Sequence, residues 1–223
     1  MKIKGIIFDF DGTILDTESP ELHAWLHLYE EFGVIFPIAK HKQNIGAFNI
    51  DDEITHHLLA NMKATNLSSL SILKKHHELK HTFLEQEEIL PGVHDYLYFA
   101  KENGLKLGLA SSASSEWITP NVDRLNIRNY FDSILTADNV DNIKPHPDLY
   151  LLSLSQLGIN SYGVIAFEDS PNGVKASKSA NIFTIAVPNK VTKDFNFDEA
   201  DMRLDSLSEI PPEELLMKIE KYY

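Results

Sequence analysis

The chain contains no cysteine. That absence excludes a disulfide scaffold, a thiolate zinc centre and a thiol nucleophile. Arginine is scarce too, and none occurs before Arg124. The first half of the chain therefore lacks the planar, bidentate donor that grips phosphates and carboxylates. No stretch reaches the ~20 consecutive apolar residues of a membrane helix. Asp9 and Asp11 interrupt the opening apolar run far short of a secretory core, so a soluble, cytoplasmic protein is expected. Positive charge is in deficit: 20 Lys and Arg face 33 Asp and Glu, a formal net charge of -13. Nucleic acid and anionic membrane both need basic clusters, so neither is an expected partner. A phosphorylated ligand is repelled at long range as well, and any anion site must carry its own local cations. Neither a P-loop nor a G-x-S-x-G elbow is present.

What remains is a chain of 223 residues, 43% hydrophobic, enough for one ordinary core and a smaller subdomain. Short β-rich apolar runs occur at Ile3–Phe8, Leu105–Ala110, Ser133–Thr136, Val164–Phe167 and Phe183–Val187. Between them lie helical patterns, at Gly92–Asn103, Pro147–Leu157 and Pro171–Ser179. Apolar strands alternating with helices predict an α/β fold with a parallel sheet covered on both faces. Pro211–Tyr223 reads as a closing amphipathic helix. Residues 18–88 differ, showing helical patterns at Pro20–Phe32, Asp51–Met62 and Ser68–Glu87 and no clear strand. Leu22, Trp25, Leu26 and Tyr29 recur at helical spacing as one apolar stripe. The expected organisation is a core of residues 1–17 and 89–223 interrupted by a helical cap, residues 18–88.

Ligands of an open parallel sheet bind beyond the carboxyl ends of its strands. The polar residues that follow the apolar runs are therefore the candidates. Asp9-Phe10-Asp11-Gly12-Thr13 follows the first, Ser111 and Ser112 the second, Lys144-Pro145 comes later, and Glu168-Asp169-Ser170 follows Val164–Phe167. Crowded carboxylates with no neighbouring arginine call for a hard divalent cation with oxygen ligands, and Mg²⁺ suits a site that also takes phosphate. Lys144 supplies a fixed positive charge for a phosphoryl oxygen, and Ser111 a hydroxyl donor. Gly12 lets the backbone come close to a ligand. Taken singly, each residue also has a plain reading: Ser111 as a helix N-cap, Lys144 as a solvated lysine, Glu168-Asp169 as an acidic helix start.

Taken together, in order and across nearly the whole chain, the four pieces resemble the four motifs of the haloacid dehalogenase superfamily. Lys144-Pro145-His146-Pro147-Asp148 and Phe167-Glu168-Asp169-Ser170-Pro171-Asn172-Gly173 look most like its β-phosphoglucomutase-like phosphatases and mutases. The resemblance implies a Rossmann-like core with a helical cap inserted after the first strand. It implies Asp9 as nucleophile, forming an aspartyl-phosphate, and Asp11 as the acid and base that protonates the leaving oxygen and activates the acceptor. It implies Mg²⁺ on Asp9, Asp11 (through its carbonyl), Asp169 and Glu168, with the phosphoryl oxygens on Ser111, Ser112 and Lys144. Asp11 favours phosphoryl transfer over dehalogenation, because a departing halide needs no proton. The implied cap hinges are Asp16–Ser19 and Glu88–Gly92.

The acceptor, water or a sugar hydroxyl, is chosen by the cap. The mutases carry a cap-loop arginine for a second phosphate, whereas the corresponding stretch here, Gly46-Ala47-Phe48-Asn49-Ile50-Asp51-Asp52, has none. Lys74 and Lys75 are the nearest substitutes, and Glu21 stands where the mutase has a histidine. A phosphatase of small phosphorylated metabolites is expected, with a sugar phosphate mutase as the alternative and an idle binding module as a third reading. Trp25, Gly46 and Asn49 are the candidate substrate contacts, although the stripe containing Trp25 also reads as plain core. His77-Glu78-Leu79-Lys80-His81 matches the H-E-x-x-H zinc motif. The segment is rich in histidine, and a surface metal contact is the expectation there rather than a protease site. Oligomeric state has no sequence signature.

Overall fold

The computed structural model describes residues 2–38, 50–63 and 66–221. They fall into two compact units, one of Met1–Leu15 with Glu88–Tyr223 and one of Asp16–Glu87. In the first unit the strands are β1 (Gly5–Phe8), β2 (Lys106–Ala110), β3 (Ser133–Leu135), β4 (Val164–Glu168), β5 (Phe183–Ala186) and β6 (Met202–Arg203). They form one sheet in the order β3-β2-β1-β4-β5-β6, with every neighbouring pair parallel. This is a Rossmann-like α/β fold. The strand order reverses at the central β1, where a ligand crevice forms at the carboxyl edge.

β1 and β4 are buried along their whole length, as strands covered on both faces must be. Successive side chains point to opposite faces. Ile7 and Ala166 join a core with Leu149, Tyr150, Leu154 and Ala176, contributed by the helices Asp148–Leu157 and Pro171–Ser179. Their neighbours Phe8 and Phe167 turn the other way, and Phe167 meets Tyr96 of the helix Val93–Glu102 edge-on at 5.0 Å. Each fully buried aliphatic or aromatic side chain contributes roughly 1.5–3 kcal/mol, an upper estimate because the unfolded chain is already partly compact.

The second unit holds α1 (Glu18–Glu31), α2 (Ile50–Asn61) and α3 (Ser69–Leu84). In chain order the first unit then contributes α4 (Val93–Glu102), α5 (Ser115–Arg124), α6 (Asp148–Leu157), α7 (Pro171–Ser179) and α8 (Pro212–Glu220). The helical unit packs Trp25, Leu28 and Tyr29 of α1 against Ile54 and Leu58 of α2 and Ile72 of α3. The buried face of α1 is therefore rotated from the expected stripe: Leu28 joins it, and Leu26 is 38% exposed. The apolar residues of α1 cover more than half its circumference, so periodicity alone leaves two possible centres for the face. The hydroxyl of Tyr29 donates to the carbonyl of Ile54 at 2.8 Å, which ties α1 to α2. Among the described residues no helix is long and apolar enough to cross a membrane.

Candidate active site

The candidate residues at the strand ends converge in the first unit. The backbone ladder continues past the strands and holds their starting points. The Asp9 N–H donates to the Phe167 carbonyl at 3.0 Å, and the Ser111 N–H donates to the Leu135 carbonyl at 2.9 Å. Lys144 Nζ lies 2.5 Å from Asp9 Oδ1 and 2.7 Å from Glu168 Oε1. Asp9, Glu168 and Asp169 are all buried, and each brings a carboxylate oxygen within 4.8 Å of the others. Three carboxylates against one ammonium leave two negative charges, the amount that one divalent cation cancels.

Two further observations fit that ion. Glu168 Oε2 is buried without a hydrogen-bond partner, an arrangement that costs roughly 1–3 kcal/mol or more for a charged group unless a cation satisfies it. Glycines also clear the space around these oxygens. Gly12 has φ +77°, and a Cβ there would strike the Asp169 carboxylate and the Asn189 amide. A Cβ at Gly173 would strike Glu168. The donors are all carboxylate oxygens, the set preferred by Mg²⁺.

Burial pushes the Asp9 carboxyl up, to about 8, with Glu168 and Asp11 adding to the effect against the pull of Lys144. Burial alone would lower Lys144. The carboxylates of Asp9 and Glu168 outweigh it and hold the ammonium well above its ordinary value. Lys144 is thus a permanent cation. Ionising Asp9 is costly there, and a bound cation would lower that cost.

Asp11 stands outside the three-carboxylate group. Its Oδ2 accepts from the Ser111 hydroxyl at 3.2 Å, and its Oδ1 accepts from the Trp117 indole N–H at 2.9 Å. Ser111 Oγ also accepts from the Ala113 N–H at 3.0 Å. Ser112 Oγ is buried with no partner. Trp25 lies in the core of the helical unit, fully buried, with its indole N–H donating to Glu21 Oε1 at 3.2 Å. Gly46 and Asn49 lie outside the described residues.

Three residues that the sequence reading passed over support the site. Trp117 orients Asp11 from α5. The Tyr150 hydroxyl, on α6, donates a short hydrogen bond to Glu168 Oε1. Asn189 Nδ2 donates to Asp169 Oδ2 at 2.7 Å. Only Asn189 left a signal: it follows β5 closely, and the strand-end rule applied to the fifth strand points to it. Trp117 and Tyr150 sit inside helices, where they read as packing residues.

Known proteins are similar to this chain in sequence and in fold. YhcW of Bacillus subtilis strain 168 is 38% identical over 211 residues, covering 93% of this chain and 94% of that protein. The phosphorylated carbohydrates phosphatase of Thermotoga maritima is 33% identical over 217 residues, covering 96% and 97%. The crystal structure of β-phosphoglucomutase from Clostridium difficile superposes with a TM-score of 0.73 at 25% identity, covering 99% of this chain and 98% of that one. The haloacid dehalogenase-like hydrolase family matches residues 6–187. The chain belongs to that family, among its β-phosphoglucomutase-like phosphatases and mutases.

Proposed function

We propose that the protein is a Mg²⁺-dependent phosphatase that hydrolyses a small phosphorylated metabolite, of the sugar phosphate class, through an aspartyl-phosphate on Asp9. The observation that carries this reading is the buried group of Asp9, Lys144, Glu168 and Asp169, with Asp11 held beside it by Ser111 and Trp117.

An Asp9 carboxylate oxygen attacks phosphorus, and the bond from phosphorus to the ester oxygen breaks. Asp11 gives its proton to that oxygen, which leaves as an alcohol. Asp11 then takes a proton from water, the water oxygen attacks phosphorus, and the bond to Asp9 breaks to release phosphate. Splitting one displacement into two lowers each barrier, and a positioned acid–base group adds typically 10²–10⁴-fold. The fixed charge of Lys144 and the hydroxyl of Ser111 stabilise the phosphoryl oxygens where negative charge spreads. Asp9, Glu168 and Asp169 would hold Mg²⁺, which when bound supplies positive charge to the transferring group.

Water is the proposed acceptor because three of the four described lysines of the helical unit already face a carboxylate. Among the described residues, Lys75 pairs with Glu31, Lys74 lies 3.9 Å from Glu78, and Lys80 is 2.5 Å from Glu21. A mutase needs a cation there that is available to the ligand. The test is a panel of phosphorylated metabolites assayed with Mg²⁺ and with EDTA. β-Glucose 1-phosphate is included, together with a bisphosphate primer. Release of inorganic phosphate that needs Mg²⁺ and Asp9 is the expected result. Efficient conversion to glucose 6-phosphate would establish the mutase instead, and no turnover of any ester would sink both readings.

A further inference from the structure

A second polar cluster, gathered around the buried His76, lies wholly within the helical unit. Glu21 and Trp25 come from α1, Asp51 from α2, and His76, His77 and Lys80 from α3. The His76 imidazole is fully buried and stacks on Trp25 with ring centroids 4.0 Å apart. Its Nε2 lies 3.2 Å from Glu21 Oε1 and 3.4 Å from the Glu21 carbonyl oxygen. Burial alone would raise the Glu21 carboxyl. The hydrogen bond from His76 and the charge of Lys80 hold it instead well below the usual carboxylate range. Two oxygen acceptors facing one ring nitrogen require that nitrogen to carry the proton, so Nε2 is the donor.

That assignment leaves Nδ1 of a neutral His76 ring with a free lone pair. Nδ1 is buried and has no hydrogen-bond partner, and the same holds for Asp51 Oδ1. Two acceptors removed from water with nothing to accept are costly. Asp51, His76 and His77 each bring a ligand atom within 4.8 Å of the others. The rings of His76 and His77 are 5.7 Å apart. Metal-bound histidines typically donate their other ring N–H to a carboxylate, the relation in which Glu21 stands to His76.

We propose that Asp51, His76 and His77 form a binding site for a borderline divalent transition cation of the Zn²⁺ class, distinct from the carboxylate cluster of the sheet. Two imidazoles and one carboxylate discriminate against Mg²⁺, which prefers oxygen donors alone. The exposed His77 gives solvent access, while the buried His76 ring and the buried Oδ1 of the half-buried Asp51 face inward. The site is not the H-E-x-x-H pair that the sequence suggests. His81 is exposed and lies 3.4 Å from Glu85, and the third ligand comes from α2.

The test uses the full chain, stripped with EDTA, dialysed and then held in excess Mg²⁺ so that the carboxylate cluster is filled. Zn²⁺ is titrated by calorimetry, and Co²⁺ is used as a visible probe of imidazole ligation. The wild type is expected to take up one equivalent of Zn²⁺ that Mg²⁺ does not displace, with a rise in Tm. His77→Ala, an exposed and non-catalytic position, is expected to weaken Zn²⁺ binding roughly tenfold or more and to abolish that Tm rise, with turnover retained. Asp51→Asn is expected to weaken Zn²⁺ binding and to abolish the Tm rise in the same way. Equal Zn²⁺ affinity in wild type and His77→Ala, displacement of the bound Zn²⁺ by Mg²⁺, or no uptake at all would each overturn the proposal.

Discussion

Two polar clusters, one at the sheet edge and one among the helices of the second unit, use related parts for different chemistry. Each contains carboxylates, buried at the sheet edge and half-buried among the helices, with a lysine and an acceptor atom without a partner. At the sheet edge the donors are oxygens only and sit at, or one residue past, the carboxyl ends of β1 and β4. In the helical unit two of the three donors are imidazoles, and a tryptophan packs against one of them. The difference teaches that burial and net charge announce a cation, whereas donor type selects which one. It also separates what each cluster does to its acids. Asp9 is pushed up mainly by burial, while Glu21 is held down by His76 and Lys80.

The largest effect that would sharpen the contrast is Asp9→Asn. It removes the proposed nucleophile and is expected to lower turnover by roughly 10⁴-fold or more. Retained activity would make the sheet-edge cluster a mere binding feature. Next comes Lys144→Met, which strands the carboxylates of Asp9 and Glu168 in the interior. A loss of roughly 3–5 kcal/mol in urea unfolding, measured in EDTA, is expected. A loss under about 1 kcal/mol would mean that the pair is screened like a surface bridge.

The third prediction concerns pH. Without a cation, folded Asp9 keeps its proton to about pH 8, whereas the unfolded chain releases it near the ordinary value of 3.8. Between those values the folded state binds more protons, so stability falls as pH rises. Tm in EDTA should therefore drop between pH 5 and pH 8, and Mg²⁺ should recover it most strongly at the upper end. A flat EDTA profile would contradict the buried-charge account. Trp117→Phe should act more mildly, lowering kcat roughly tenfold with KM nearly unchanged, because Asp11 loses a donor. Equal loss in kcat with Tyr130→Phe, in the short turn Arg128–Tyr130, would expose the effect as non-specific. The smallest expected effect is Ser68→Ala. The Ser68 hydroxyl accepts from the Ser71 N–H at 3.2 Å and caps α3, so about 1 kcal/mol of stability should go without loss of turnover.

Five strands could be seen in the sequence because each is a short apolar run ended by polar residues. β6 could not, since Met202–Arg203 is two residues long and pairs only with β5. The helix Ser115–Arg124 was hidden by Pro120, which normally ends a helical pattern but here sits inside one. Leu26 shows the same limit within a helix that was recognised, because the neighbours and not the period decided which apolar residues face inward.

The sequence by itself determined the α/β class, the helical interruption and the catalytic candidates, because strand ends in a parallel sheet expose their next residues at one edge. Tertiary structure alone decided the partners: Trp117 on Asp11, Tyr150 on Glu168, and Asp51 brought to His76 and His77. Those meetings join residues from separate elements, and no local pattern of spacing or hydropathy records which side chains the packing of the chain will force together.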